Sequence, residues 1–438
     1  MNEVKTAKST KSFKYLVDSF IVLLNLSTSY SLIPYLVFRN YDRYVNMILL
    51  FVLNLAYIMF RFGAKKRRQS YPKRNHTLII LYALINVVCL FSGFITGTGW
   101  KSTLVYLLLN MEFYIILSSL FDDYKSHFSL RESYYLLTRG YLALVLMSLI
   151  GCVVMFLYIK AGGNPDQNPI EAKYDLFYDN AFNFGAAYRF PLHLCVVDVS
   201  PDIRIPFFQE SGLIEGLYHE PHCMTFMLFP ALFLFLYYSK NIVIRVIWIL
   251  LFLFIVLLTG STTNIAAILA SIVVYMFYTF KRSITRSVVL LITLALIASF
   301  VYIFVDLTAF EFIFNKIEGG SKDYSASTIG FALHPRTLWG TSFYNLSYVN
   351  SSSAAQSMDI GFINFILNGL FLILCFTKML KLFRKDNPIA LTILLSSVYF
   401  FAHSAKVAMV AYSLTMLIFI VFLLDETART PEQKLATE

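Results

Sequence analysis

The chain of 438 residues is 58% hydrophobic and only 14% charged, with a mean hydropathy of +0.65 and a formal net charge of +10. Soluble globular domains are about half apolar and a quarter charged, so this composition excludes an ordinary soluble fold. Nor does the basic balance indicate nucleic acid. With the amino terminus in the cytoplasm, 25 of the 36 Lys and Arg side chains fall on cytoplasmic segments and 11 on the opposite side, although that side has far more loop sequence. This is the positive-inside pattern, strongest in RFGAKKRRQSYPKR (61–74) and KMLKLFRK (378–385).

In chain order, residues 1–14 read as a polar cytoplasmic tail, expected to be mobile. Apolar runs of about 18–24 residues follow, the length a helix needs to cross a hydrocarbon core of about 30 Å. Such runs can only be helices, because lipid offers no partners to open backbone groups. Twelve spans are expected, at 15–38, 44–61, 77–97, 102–121, 137–159, 221–238, 243–260, 262–280, 287–306, 359–377, 388–404 and 406–424. The predicted fold is therefore all-α, a polytopic membrane protein with both termini cytoplasmic. Transmembrane blocks 15–159, 221–306 and 359–424 are separated by two large extracytoplasmic loops, 160–220 and 307–358, and residues 425–438 form a second tail. The first run is too long for a cleavable signal peptide, carries Asp18 and lacks a small-residue cleavage site.

The cytoplasmic segments have no mass for a nucleotide-binding domain, and neither a Walker-type loop nor a dinucleotide fingerprint is present. The informative residues then lie on the external loops. In the first, AYRFPLHLCVV (187–197) sets Arg189 among apolar residues, and RIPFFQESGLIEGLYHEPHCMTFMLF (204–229) runs from Arg204 without a break into the sixth span. Both stretches are apolar enough to lie at the membrane surface or to pack on the bundle. A guanidinium held there is partly dehydrated and binds phosphate or carboxylate more strongly than in water. Pairing with a loop carboxylate or a lipid headgroup is the plainer alternative.

His219-Glu220-Pro221-His222 is the sharpest local feature. Pro221 suits the first turn of a helix, which sets Glu220 near the N-cap, against the positive end of the helix dipole. A simple cap is the plain reading, and the His-x-x-His spacing without a third ligand does not indicate zinc. In the second loop, ALHPRTLWGTSFYN holds His334, usable as a general base near neutral pH, together with Arg336. Thr259-Gly260-Ser261-Thr262-Thr263-Asn264 clusters small hydroxyl groups between two spans, a pattern that also serves close helix packing. Asp18, Glu112 and His403 read as isolated ionisable residues in or near spans, each expected to face the bundle interior. Three of the five cysteines lie in spans as small fillers. A disulfide between Cys195 and Cys223, both able to face the oxidising side, is conceivable.

Several of these features match, in order, the Wzy-type polymerases of bacterial O-antigen and capsular polysaccharide, and the related O-antigen ligases. The layout resembles that family along nearly the whole chain. YRF (188–190), Arg204 and the Glu220-Pro221 pair resemble its external arginines and its glycine-to-EP stretch. LLTGSTTNIAAILASIVVY (257–275) resembles its small-hydroxyl turn, and LHPRTLWGTSFYN (333–345) its second-loop HP stretch. The chain departs from the pattern at SKDYSASTIG (321–330), where family members carry an arginine, and after Gly340, where the usual second glycine is missing. The resemblance implies a metal-independent glycosyltransferase without cofactor in the bacterial inner membrane, lengthening chains on undecaprenyl pyrophosphate at the periplasmic face. Its partners would be the lipid-linked oligosaccharide, the bilayer and a chain-length-determining membrane protein. By that resemblance Glu220 and His334 are the catalytic candidates. Arg189, Arg204, Arg336, His219, Thr262 and Thr263 are the substrate-binding ones. The ligase reaction, and a flippase or exporter of the lipid-linked sugar, are the alternatives.

Overall fold

A computed structural model describes residues 2–27, 33–38, 43–63, 76–96, 100–168, 188–198, 213–218, 221–259, 261–282, 338–340, 361–384, 389–404 and 413–424. Helix dominates them. The first helices are α1 (Asn2–Ser27), α2 (Ile33–Phe38), α3 (Arg43–Phe62), α4 (Thr77–Thr96), α5 (Trp100–Lys125) and α6 (Leu130–Lys160). Strands β1 (Tyr188–Arg189), β2 (Val196–Asp198) and β3 (Leu213–Gly216) follow. The remaining helices are α7 (Pro221–Tyr238), α8 (Ile242–Thr259), α9 (Thr262–Arg282), α10 (Phe362–Arg384), α11 (Ala390–Ser404) and α12 (Ser413–Leu424).

Five described segments are long and apolar enough to cross a membrane: Val45–Phe62, Thr77–Ile95, Thr103–Lys125, Leu130–Lys160 and Phe362–Lys381. Met224–Tyr238, Ile242–Val256, Asn264–Tyr278 and Ala390–Phe400 are apolar but shorter. Outward faces carry bare apolar side chains, with Met59 and Phe277 73% exposed and Phe60 87%. Such a surface suits hydrocarbon and not water. The protein is helical, membrane-embedded and multi-pass.

Several expected spans coincide with helices, notably 44–61 with α3, 77–97 with α4 and 221–238 with α7. The span at 287–306 lies outside the described residues. Span 15–38 divides into α1 and α2, and α1 begins at Asn2, so the residues expected as a mobile tail continue the helix. No Pro or Gly interrupts that run, and its Ala and Lys residues favour helix.

Helix α5 is the hub, packed against α1, α3, α4, α6 and α12. Its Tyr106, Leu109, Phe113, Ile116, Leu117 and Leu120 are fully buried. A second group forms around α7, which touches α6, α8, α9 and α11. Helix α6 opens with a capping box, the Glu132 amide donating to Ser129 Oγ at 3.3 Å and the Ser129 amide to Glu132 Oε2 at 3.2 Å. Midway along α6, Gly140 lets α1 come close, since a Cβ there would strike the Ser19 carbonyl. Pro230 removes one amide from the ladder of α7; three residues earlier, Tyr141 on α6 donates to the Met227 carbonyl.

Short connections make α4, α5 and α6 successively antiparallel, so the bundle has two distinct ends. At one end α1, α3 and α5 share an ionic cluster. Arg61 donates from Nε to Asp18 Oδ1 (3.1 Å) and from Nη2 to Asp123 Oδ2 (2.7 Å). Lys14 reaches Asp123 at 3.1 Å, and the hydroxyls of Tyr57 and Tyr124 donate to Asp18. Seven residues along α1 and α3, about 10 Å, the Asn25 and Asn54 amides bond each other at 2.9 and 2.8 Å. Asn54 also donates to Glu112 at 3.3 Å. Asp18 and Glu112 are therefore not isolated, as the sequence suggested. Their partners come from helices remote in sequence.

At the other end lies a three-stranded antiparallel sheet in the order β1-β2-β3. Arg189 faces Val197, Val196 faces Gly216, and a bulge separates Val196 from Val197. The bundle side is apolar, with Phe190, Cys195, Val196, Val197 and Ile214 buried. Strand β3 contacts α6, α7 and α8, so the apolar first-loop stretches pack on the bundle. Gly151 of α6 admits the turn between β1 and β2 closely: a Cβ there would lie 2.9 Å from the Leu194 carbonyl oxygen.

Candidate active site at the sheet end of the bundle

Strand β3 leads through residues 217–220 into α7, which starts at Pro221 as its fixed φ favours. His219 and Glu220 thus directly precede α7, but lie outside the described residues, as do Arg204, His334 and Arg336. Thr262 and Thr263 open α9; their side chains are also outside what is described.

Arg189 is the one predicted site residue whose side chain is described. It projects from β1, and its Nε donates to Asp166, a largely exposed carboxylate just beyond α6. The ion pair with a loop carboxylate is thus formed. Arg189 has other electrostatic or hydrogen-bonding contacts besides this one. The turn after β1 is tight, and Leu192 and His193 have positive φ angles of 58° and 52°. His193 is exposed, with its ring edge-on to Phe190 at 5.6 Å.

The starts of α7 and α9 meet the end of α11 in a buried polar knot. The Tyr399 hydroxyl lies 2.9 Å from the Thr225 carbonyl oxygen and 2.6 Å from the Asn264 side-chain amide. One hydroxyl proton serves one acceptor. The arrangement is satisfied when Tyr399 donates to Thr225 and accepts from the Asn264 amide nitrogen, which is one rotation of that amide away. His403 Nε2 is 3.4 Å from Thr225 Oγ1, and its ring packs on Phe226 and Tyr399 at 5.3 and 5.7 Å. His403 is therefore not isolated either. Thr225 is the fifth residue after Glu220, and Asn264 directly follows Thr263. The knot thus joins the two helix starts that carry predicted site residues.

A short described segment of the 307–358 stretch packs at the same end. Leu338–Gly340, two residues beyond Arg336, rest against the end of α4 and the start of α10. Ser92 Oγ donates to the Trp339 carbonyl, and Phe91 packs on the indole at 5.2 Å. The Ile363 amide reaches the Leu338 carbonyl at 3.2 Å, and Gly361, with φ +73°, leaves room for the Trp339 backbone. Described segments of both the 160–220 and the 307–358 stretches thus pack at the end of the bundle that holds the sheet.

The chain matches no protein-family model, no curated protein and no solved structure. Its chemistry is read from its own side chains. Among the described residues no three His, Cys, Asp or Glu side chains converge as a metal site would need.

Two residues at this end were missed from sequence. Glu215 on β3 is a carboxylate only 1% exposed, and a carboxylate so buried is a functional candidate on general grounds. The signal was available: LIEGLY (213–218) is apolar on both strand faces except for that one acid. The other is Cys152. Cys195 is a free thiol here, and its sulfur neighbour is Cys152 of α6. The side chain of Cys223, the partner the sequence suggested, is outside the described residues. Cys195 faces down onto α6 because Gly151 draws the chain there.

Proposed function

We propose that this chain is a polysaccharide polymerase of the bacterial inner membrane, with twelve spans, both termini cytoplasmic and the sheet end facing the periplasm. It lengthens oligosaccharides carried on undecaprenyl pyrophosphate. The growing chain leaves its lipid pyrophosphate and is transferred to a hydroxyl of a new lipid-linked unit. The anomeric carbon–oxygen bond to the pyrophosphate breaks as the bond to the acceptor oxygen forms. Arg189, Arg204 and Arg336 stabilise the charge that builds on the departing pyrophosphate. Glu220 or His334 takes the proton of the acceptor hydroxyl. His219, Thr262 and Thr263 are the further substrate-binding residues of this reading.

The observation that carries this reading is that segments of both external loops are fixed at one end of the bundle. There Arg189 lies on a sheet that runs straight into the helix after Glu220. A loop serving only as a spacer needs neither a docked sheet nor a buried acid such as Glu215.

The test is reconstitution of the purified protein in liposomes with lipid-linked repeat units and no nucleotide. A ladder of longer lipid-linked chains supports the polymerase. Transfer to a different acceptor identifies a ligase instead. The Asn25–Asn54–Glu112 layer favours an exporter as the second reading, since polar layers inside membrane bundles mark transport paths. Units that change leaflet unaltered would establish that reading and sink the first.

A further inference from the structure

Where the sheet meets α6, two consecutive residue pairs face each other. Gly151 lets the Leu194 peptide come into contact with the helix. The next residues along each segment, Cys152 and Cys195, then meet, both 0% exposed, with the thiols in hydrogen-bonding reach of each other. Gly216 on β3 opens the slot from the other side: with φ +62° and no side chain, it leaves the Cys152 sulfur 3.4 Å from where a Cβ would stand. The Cys195 sulfur also lies 3.5 Å from the Val196 carbonyl oxygen, which holds it beside the strand. A disulfide needs an S–S separation of about 2.05 Å, and the close approach of the Leu194 peptide to Gly151 brings the two segments together for it.

We propose that Cys152 and Cys195 are joined by a disulfide during maturation, tying the sheet to α6. The inference rests on the reading that the sheet end faces the oxidising side. The oxidant is the disulfide of a thiol oxidase there. The first cysteine thiolate attacks one sulfur of that disulfide and releases one carrier thiol. The second attacks the resulting mixed disulfide and releases the other, so two electrons and two protons pass to the carrier. Bond formation precedes docking of the sheet. Once the sheet is seated, burial and the neighbouring Cys152 thiol push the Cys195 thiol well above its ordinary range, which suppresses the reactive thiolate. The finished bond encloses 43 residue steps and is shielded from reductants.

The test counts thiols in the full-length protein. Denatured under acid quench and labelled with a maleimide-polyethylene glycol, it should show three of its five cysteines labelled. After reduction in denaturant it should show all five, and a peptide joining Cys152 to Cys195 should appear by mass spectrometry. C152S and C195S should each raise the unreduced count of labelled thiols to four. An unreduced count of five in the wild type overturns the proposal. Sidedness is read separately by A161C in a background without other cysteines, treated in intact cells with a membrane-impermeant maleimide. Labelling there with five free thiols in the wild type defeats the cross-link alone. Protection of A161C, beside control labelling after permeabilisation, defeats the sidedness reading, and the cross-link falls with it.

Discussion

Replacing Arg61 with methionine removes the guanidinium that Asp18 and Asp123 share. In the wild type the three side chains are 7%, 1% and 5% exposed, with contacts of 3.1 and 2.7 Å. Methionine keeps most of the volume but leaves Asp18 buried against two tyrosine hydroxyls and Asp123 buried with Lys14. Breaking a buried pair from one side costs about 3–5 kcal/mol, whereas replacing all partners together is often neutral. R61M should therefore lower the unfolding free energy by about that amount, roughly two to four powers of ten in the equilibrium. R61M/D18N/D123N should recover most of the loss. Lys14, whose side chain is 37% exposed, contributes about 1 kcal/mol at most, so K14A should be mild. Reversible SDS unfolding in mixed micelles, followed by tryptophan fluorescence, measures all three. An R61M protein as stable as the wild type, or a K14A protein as damaged as R61M, would refute the reasoning.

Arg189 and Asp166 separate binding from structure. R189A should slow elongation by about 100-fold, while D166A, which removes only the partner, should leave most activity; equal losses would mean that Arg189 merely braces the loop. Y399F removes the hydroxyl joining α7 to α9 and should destabilise by about 1–3 kcal/mol in the same unfolding assay. G140L forces α1 away from α6, and its cost of about 1–3 kcal/mol should appear together with faster proteolysis of α1.

What was legible in the sequence was whatever a single segment decides. The apolar runs placed α3, α4 and α7 within a few residues, and Pro221 fixed where α7 starts. The sheet was not legible, because its strands are two to four residues long, too short for a period-two pattern to register. Pairing was hidden as well. Asp18 finds Arg61 and Tyr124 43 and 106 residues away, and His403 finds Thr225 at a separation of 178. Each read as solitary because nothing local encodes the partner. Cys152 passed for a filler because its neighbour in space belongs to another element. Of the candidate site, the sequence named the helix starts that come together, and missed Glu215, whose burial follows from a strand apolar on both faces.

The contact between Leu194 and Gly151 also fixes a height. Gly151 stands nine residues before Lys160, where α6 ends, which is about 13 Å along the helix axis. The turn carrying Leu192 and His193 therefore lies against the flank of α6 and not beyond its end. Under the polymerase reading, a donor drifting in from the side meets this turn on its way to Arg189. Carrier length and saturation near the phosphate then become features that the protein can sense, alongside the identity of the sugar.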